Sequence, residues 1–303
     1  MKNIQLKKAL GLIFLATAAF QTNAADENTG QASPLLRAVP PVNVNLSAAG
    51  TLPKGVLFSA LNVSFANKEH SERGYAGSEI RSSAWLLKLR YGLTDSLELA
   101  AITPYVDLSR SNPTPHPKHV RGVGDQIIGF SFAPYNLRMR DPYSLHFTAA
   151  LALPTGREGT RYRPGNDAWG WRLGTAYGIP LTPSLRLDTE LVWSGPFERG
   201  NQGVRRGQNF QWNAQLRHAF RIFDVALESS VVRQESGNRE TPAGQINLRN
   251  GYTEWFAGPS MNLAVDALGT WMGAGVFFPI SRHFDGPSPS ERYRLEFKIG
   301  KIW

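Results

Sequence analysis

The sequence predicts an all-β fold: an antiparallel up-and-down transmembrane β-barrel of about 12 strands, with short periplasmic turns and long extracellular loops. Three observations carry this. Short turns recur every 41 to 44 residues. The segments between them alternate apolar and polar residues with period two. Aromatic residues gather at the segment ends, as they do where a barrel meets the two membrane interfaces. The composition agrees: 42% hydrophobic and 19% charged residues exclude a disordered chain. With no cysteine among 303 residues, a disulfide framework, a thiolate metal centre and a cysteine nucleophile are excluded.

The N-terminus reads as a signal peptide over residues 1–24. Lys2, Lys7 and Lys8 precede an apolar run from Ala9 to Phe20, and Thr22-Asn23-Ala24 offers small residues for cleavage. The run is shorter than the ~20 residues a membrane helix needs. Its removal takes the formal charge from +9 to +6. Residues 25–50 hold Pro34, Pro40 and Pro41 without periodicity and form an irregular segment before a barrel at 51–303. Beyond Ala24 the longest apolar run is Trp271 to Ile280, again too short for a helical span. The expected location is the bacterial outer membrane.

The repeat sets the strand count. Turns centre on residues 94, 138, 181, 222 and 266. Two of them share wording: Thr94-Asp95-Ser96-Leu97-Glu98-Leu99 and Thr182-Pro183-Ser184-Leu185-Arg186-Leu187 lie 88 residues, or two periods, apart. Longer polar stretches fall between, near 67–82, 109–121, 155–168, 195–208, 235–250 and 281–291. A β-propeller has a similar period but four strands in each blade, whereas each period here has two. Strands are therefore expected at 55–66, 83–92, 97–108, 124–135, 143–153, 169–179, 184–194, 209–220, 223–234, 252–263, 270–280 and 292–303.

Alternation then assigns the faces. Leu185, Leu187, Thr189, Leu191 and Trp193 oppose Arg186, Asp188 and Glu190; Trp85, Leu87, Leu89 and Tyr91 oppose Lys88 and Arg90; Phe297 and Ile299 oppose Glu296 and Lys298. In a soluble sandwich the apolar face would be the core, and in a membrane barrel it meets lipid. The girdles favour the barrel: Trp169, Trp171, Trp193, Phe210 and Trp212 lie near the long loops, with Tyr91, Tyr143 and Trp303 at the opposite ends. The last strand, ending at Trp303, is the expected contact with the barrel-assembly machinery, and outer-membrane lipid the other expected partner.

On this register the lumen is lined by Lys88, Arg90, Arg172, Arg186, Asp188, Glu190, Arg217, Glu228 and Glu254, with Glu98, Arg294, Glu296 and Lys298. The charges nearly balance, which predicts paired side chains. About 8 strands give a barrel filled by side chains and about 16–18 an open channel. Twelve lies between, so a narrow or gated passage for a small-molecule solute is expected, with a filled structural or partner-binding barrel as the alternative.

Catalysis finds little support. His116 and His119 sit in a Pro-rich stretch without the third or fourth ligand a metal needs. Ser144 and His146, two positions apart, share one strand face about 7 Å apart, beyond hydrogen-bond reach, and face away from lipid. Gly122-Val123-Gly124-Asp125 precedes a strand rather than a helix and so is not a phosphate loop. No cofactor, metal or nucleic acid is expected, and an outer-membrane lipid-modifying enzyme is the least favoured reading.

Four segments, in order, resemble one family. They are Thr51-Leu52-Pro53-Lys54-Gly55, Leu87 to Leu99 with its Tyr91-Gly92-Leu93-Thr94-Asp95 core, Gly122-Val123-Gly124-Asp125, and Leu151-Ala152-Leu153-Pro154-Thr155-Gly156. Together they resemble the outer-membrane transporter family of the phenol meta-pathway (the MetA-pathway of phenol degradation). The resemblance covers most of the mature chain. It implies an outer-membrane barrel with a role in uptake of hydrophobic or aromatic compounds, and it carries no binding residues over.

Overall fold

The structure, a computed structural model, describes residues 50–69, 79–111, 119–135, 143–156, 165, 168–200, 203–220, 222–242, 244–286 and 290–303. The expected signal peptide and residues 25–49 lie outside these. Among the described residues there are sixteen strands: β1 (Leu57–Glu69), β2 (Glu79–Gly92), β3 (Leu97–Arg110), β4 (His119–Val123), β5 (Gln126–Tyr135), β6 (Ser144–Leu153), β7 (Gly170–Pro180), β8 (Leu185–Pro196), β9 (Val204–Arg205), β10 (Asn209–Ala219), β11 (Phe223–Gln234), β12 (Asn238–Thr241), β13 (Gly244–Asn247), β14 (Tyr252–Val265), β15 (Thr270–Phe284) and β16 (Ser290–Ile302).

Every long strand pairs antiparallel with the next along the chain, and β1 pairs with both β2 and β16. The ring therefore closes. β4 and β5 both pair with β3 and act as one interrupted strand, so the barrel has twelve staves as the repeat predicts. Closure leaves the long strands of the ring without a free edge among the described residues, as a lipid environment requires.

Period two fixes the orientation of each strand. On β2, Trp85, Leu87, Leu89 and Tyr91 are exposed; so are Leu191 and Trp193 on β8, Trp212 and Leu216 on β10, and Phe297 and Ile299 on β16. Between them Glu190, Asn213, Gln215, Glu228, Glu296 and Lys298 are buried. The sandwich alternative thus fails on burial, because the apolar face is outside and the polar face is inside. This inversion is what a lipid surrounding stabilises.

The repeated turn wording has a repeated structure. The Thr94 hydroxyl accepts from the Leu97 N–H at 3.0 Å, and the Thr182 hydroxyl accepts from the Leu185 N–H at 3.0 Å. In each case the next strand's backbone then joins the turn, Ala133 N–H to Ser96 O and Ala219 N–H to Ser184 O. At the same end Tyr135, Tyr143 and Tyr177 cluster, with ring centroids 4.9 and 6.4 Å from Tyr143. At the loop end Trp171 meets Trp193 edge-on at 4.7 Å.

Two differences from expectation stand out. The strand expected at 124–135 begins at His119 and is interrupted at Gly124-Asp125, where the Gly124 N–H still reaches Pro104 O. The stretches expected as loops at 195–208 and 235–250 carry a separate three-stranded sheet, β9–β12–β13. Its hairpin turns on Gly244, at φ 116°, a conformation that glycine adopts without a Cβ clash.

Candidate functional site

The barrel interior has two unlike walls. β8, β10, β11 and β14 supply a packed polar wall. Asn213 is its centre: its amide donates to Glu190 at 2.9 Å, and its oxygen accepts from Ser230 at 2.7 Å and Gln211 at 3.2 Å. Nearer the short turns, Arg186 pairs with Asp188 at 2.7 Å and donates to the Ser144 hydroxyl. Arg217 pairs with Asp224 at 3.4 Å, Asn262 donates to Asp224 at 2.7 Å, and Ser260 donates to Glu228. Arg186, Asp188, Glu190, Arg217, Asp224 and Glu228 thus each have a counter-charge or donor, as burial of charge demands.

Opposite, β2, β3, β5 and β6 turn small and apolar side chains inward. Leu86, Ala100, Ile102, Pro104, Ile127 and Ala150 border a cavity of about 190 Å³. Its polar rim is Asn62, Lys88, Arg90, Glu98 and Arg172. A larger vestibule of about 710 Å³ lies toward the long loops, bordered by Ile80, Val106, Leu108 and Phe284 on one side and Glu254, Glu291 and Arg294 on the other. The two spaces adjoin, because Leu86 and Arg172 line both.

At the short-turn end of the interior, the chain that precedes β1 is tied to the barrel wall. Thr51 and Leu52 are buried there. The Leu52 N–H donates to Glu98 at 2.9 Å, the Gly50 carbonyl accepts from Arg90 at 3.1 Å, and the Gly50 N–H reaches His146 Nδ1 at 3.4 Å. Outside, the Lys54 N–H donates to Asp95 at 3.0 Å and Gly55 N–H to Gly92 O at 2.8 Å. A Cβ on Gly92 would run into the Pro53 carbonyl oxygen, so glycine is needed for this close approach. Leu52 packs with Phe58, Ala60, Ala264 and Trp271, and the Trp271 ring stacks on Phe58 at 6.1 Å. This strap and the aromatic pair form the inner floor.

The residues expected in the lumen divide among these features. Arg186, Asp188, Glu190, Arg217 and Glu228 sit in the polar wall. Lys88, Arg90 and Arg172 border the inner cavity, and Glu254 borders the vestibule. Sequence reasoning missed Asn62, Asp224, Glu291, Phe58, Trp271 and the strap. Asp224 was legible in principle, since it alternates in phase with Glu228. Trp271 points inward with Gly273, while its neighbour Met272 is exposed; the small residues around it, Gly273 and Gly300, make room for an indole.

The serine–histidine pair has other partners: Ser144 accepts from Arg186 and His146 accepts from Gly50. Of the histidine pair, His116 lies outside the described residues and His119 opens β4. The Gly122–Asp125 segment meets Thr155-Gly156 instead of a phosphate: Asp125 accepts from the Gly156 N–H at 3.0 Å, and Thr155 accepts from the Gln126 N–H at 2.9 Å.

Comparison with known proteins adds to this. The sequence pattern of the family described as MetA-pathway of phenol degradation matches residues 66–280. No curated protein matches the sequence. Among solved structures, the COG4313 outer membrane channel from Pseudomonas putida F1 aligns with a TM-score of 0.71 at 16% identity, over 86% of this chain and 100% of that one. The beta domain of the Bordetella autotransporter BrkA aligns with a TM-score of 0.51 at 11% identity, over 82% of this chain and all of that one. These likenesses show the fold, that of an outer-membrane barrel.

Proposed function

Because this chain belongs to the MetA-pathway of phenol degradation family, we propose that it is an outer-membrane channel for small, mainly apolar solutes, aromatic compounds among them. One observation carries the reading: a vestibule of about 710 Å³ adjoins a 190 Å³ cavity along the apolar wall. Pockets of a few hundred cubic ångströms lined by apolar groups with a few polar ones suit small organic ligands.

The passage runs along β2, β3, β5 and β6. The polar wall is scaffold, so Arg186, Asp188, Glu190, Arg217 and Glu228 hold the barrel rather than meet the solute. Lys88, Arg172 and Glu254 border the path and set its polarity. The strap at Gly50–Leu52 is the gate at the periplasmic end. None of these groups has a catalytic role in this reading, and no cofactor is needed. Export by the signal peptide over residues 1–24, and delivery to the membrane through the final strand and Trp303, complete the proposal.

The test is uptake of radiolabelled toluene, phenol and benzoate by cells with and without the gene, alongside conductance of the reconstituted barrel. Uptake that falls on deletion, with small or gated conductance, is expected. Unchanged uptake of all three would remove the aromatic reading.

A further inference from the structure

We infer that the inner cavity is a binding site for a small aromatic monoanion, an aromatic carboxylate or phenolate, with its ring on the apolar wall and its charge at Asn62 and Arg172, Lys298 lying beside Asn62 on the neighbouring strand. This rests on the channel reading and narrows its solute class.

The cavity encloses about 190 Å³ against Ala60, Leu86, Ala100, Ile102, Ile127 and Ala150. An engineered apolar cavity of ~150 Å³ suffices for benzene. One ring with one small substituent therefore fits against the Phe58 ring, which stacks in turn on Trp271.

The rim then selects the charge. Asn62 lines the cavity at 1% exposure, and neither of its amide atoms has a hydrogen-bond partner. Lys298 is the cross-strand neighbour of Asn62 and is buried, and its ammonium has no hydrogen bond either. Its contact is with the face of the Trp271 ring, 5.7 Å away. Arg172 borders both cavities and forms no hydrogen bond or ion pair with a described residue. Unpartnered buried donors are costly and rare in folded proteins.

The nearby carboxylates are already engaged. Glu98 accepts from Arg90 and the Leu52 N–H, Glu190 from Asn213, and Glu228 from Ser260; Glu296 faces Arg294 at 3.7 Å. What Lys298, Arg172 and the Asn62 amide nitrogen still lack is an acceptor. A neutral hydrocarbon would leave these donors unmet. A dianion would bring a second charge into the field of Glu190, Glu228 and Glu296, which already reaches Lys88 and Lys298. A single carboxylate or phenolate answers both conditions, and it forms charge-assisted hydrogen bonds.

The full barrel in lipid nanodiscs would be titrated with benzoate and with toluene, following heat and tryptophan fluorescence. Benzoate is expected to bind at least tenfold tighter than toluene. Asn62→Leu with Lys298→Met should weaken benzoate at least tenfold and leave toluene unchanged or tighter. Should that pair fail to fold, Arg172→Gln, at a partly exposed position, should weaken benzoate about fivefold without weakening toluene. Toluene binding as well as benzoate would overturn this inference and leave the channel reading standing. Absence of binding by both, together with unchanged cellular uptake of both, would overturn the two together.

Discussion

The Glu98 carboxylate takes both forks of the Arg90 guanidinium, at 2.6 and 2.7 Å, across the turn that joins β2 and β3. Both residues also hold the strap, Glu98 through the Leu52 N–H and Arg90 through the Gly50 carbonyl. Glu98→Gln removes the charge pair and weakens both tethers. Breaking a buried pair in this way costs about 3–5 kcal/mol. We expect a lower urea midpoint and a several-fold rise in single-channel conductance in planar bilayers. An unchanged conductance in folded protein would show that the strap is not the barrier.

Arg186 behaves differently. It is buried, paired with Asp188 and bonded to Ser144, on the wall away from the inner cavity. Arg186→Met strands a buried carboxylate, with an expected loss of about 3–5 kcal/mol. The double variant Arg186→Met/Asp188→Leu should recover most of that loss. Permeation through the folded barrel should stay the same in both. A clear change in solute flux at normal stability would place Arg186 on the path instead.

Leu191 tests the outer face. It is 42% exposed near the middle of β8, between inward Glu190 and Val192. An arginine at the bilayer midplane of a barrel costs ~2–4 kcal/mol. Leu191→Arg should therefore lower stability by that amount in lipid, while Leu191→Phe should be nearly neutral. Equal stabilities by denaturant titration would mean that this face does not meet hydrocarbon.

Trp303 tests delivery. Its N–H bonds to Leu57 O at 2.8 Å and its indole donates to Ser59 at 3.0 Å. Trp303→Ala should reduce the protease-resistant, heat-modifiable barrel in membranes more than it reduces refolding of purified protein into detergent. Equal losses in the two settings would assign Trp303 a purely structural part.

The strands were legible because alternation is a property of the sequence itself. Leu185 to Trp193 carries its own inside and outside, whatever its neighbours are. Turn wording was equally local, and Thr94 and Thr182 make the same bond. Pairing between strands was not legible. That Arg217 meets Asp224, and Arg186 meets Ser144 from 42 residues away, depends on register and on how side chains lean inside a closed ring. The strap was hidden for a related reason: Thr51–Gly55 has no periodicity, and its anchors Asp95 and Glu98 lie 41 and 46 residues on from the backbone groups they hold. The resembling segments proved to be contact pairs, the first with the β2–β3 turn and Asp125 with Gly156. Spacing alone could not show that they touch.

The indole of Trp303 and the hydroxyl of Ser59 are joined across 244 residues of chain. The seam between β1 and β16 is thus made from the earliest and latest parts of the barrel to leave the ribosome. Until the final stave arrives, the sheet has two raw edges and no means of hiding them. A prematurely ended product would keep both edges open, however well its other hairpins had formed. Contacts of such separation also form slowly. The thirteen residues of the final strand, Ser290–Ile302, therefore decide whether the preceding strands become a ring or an aggregation hazard.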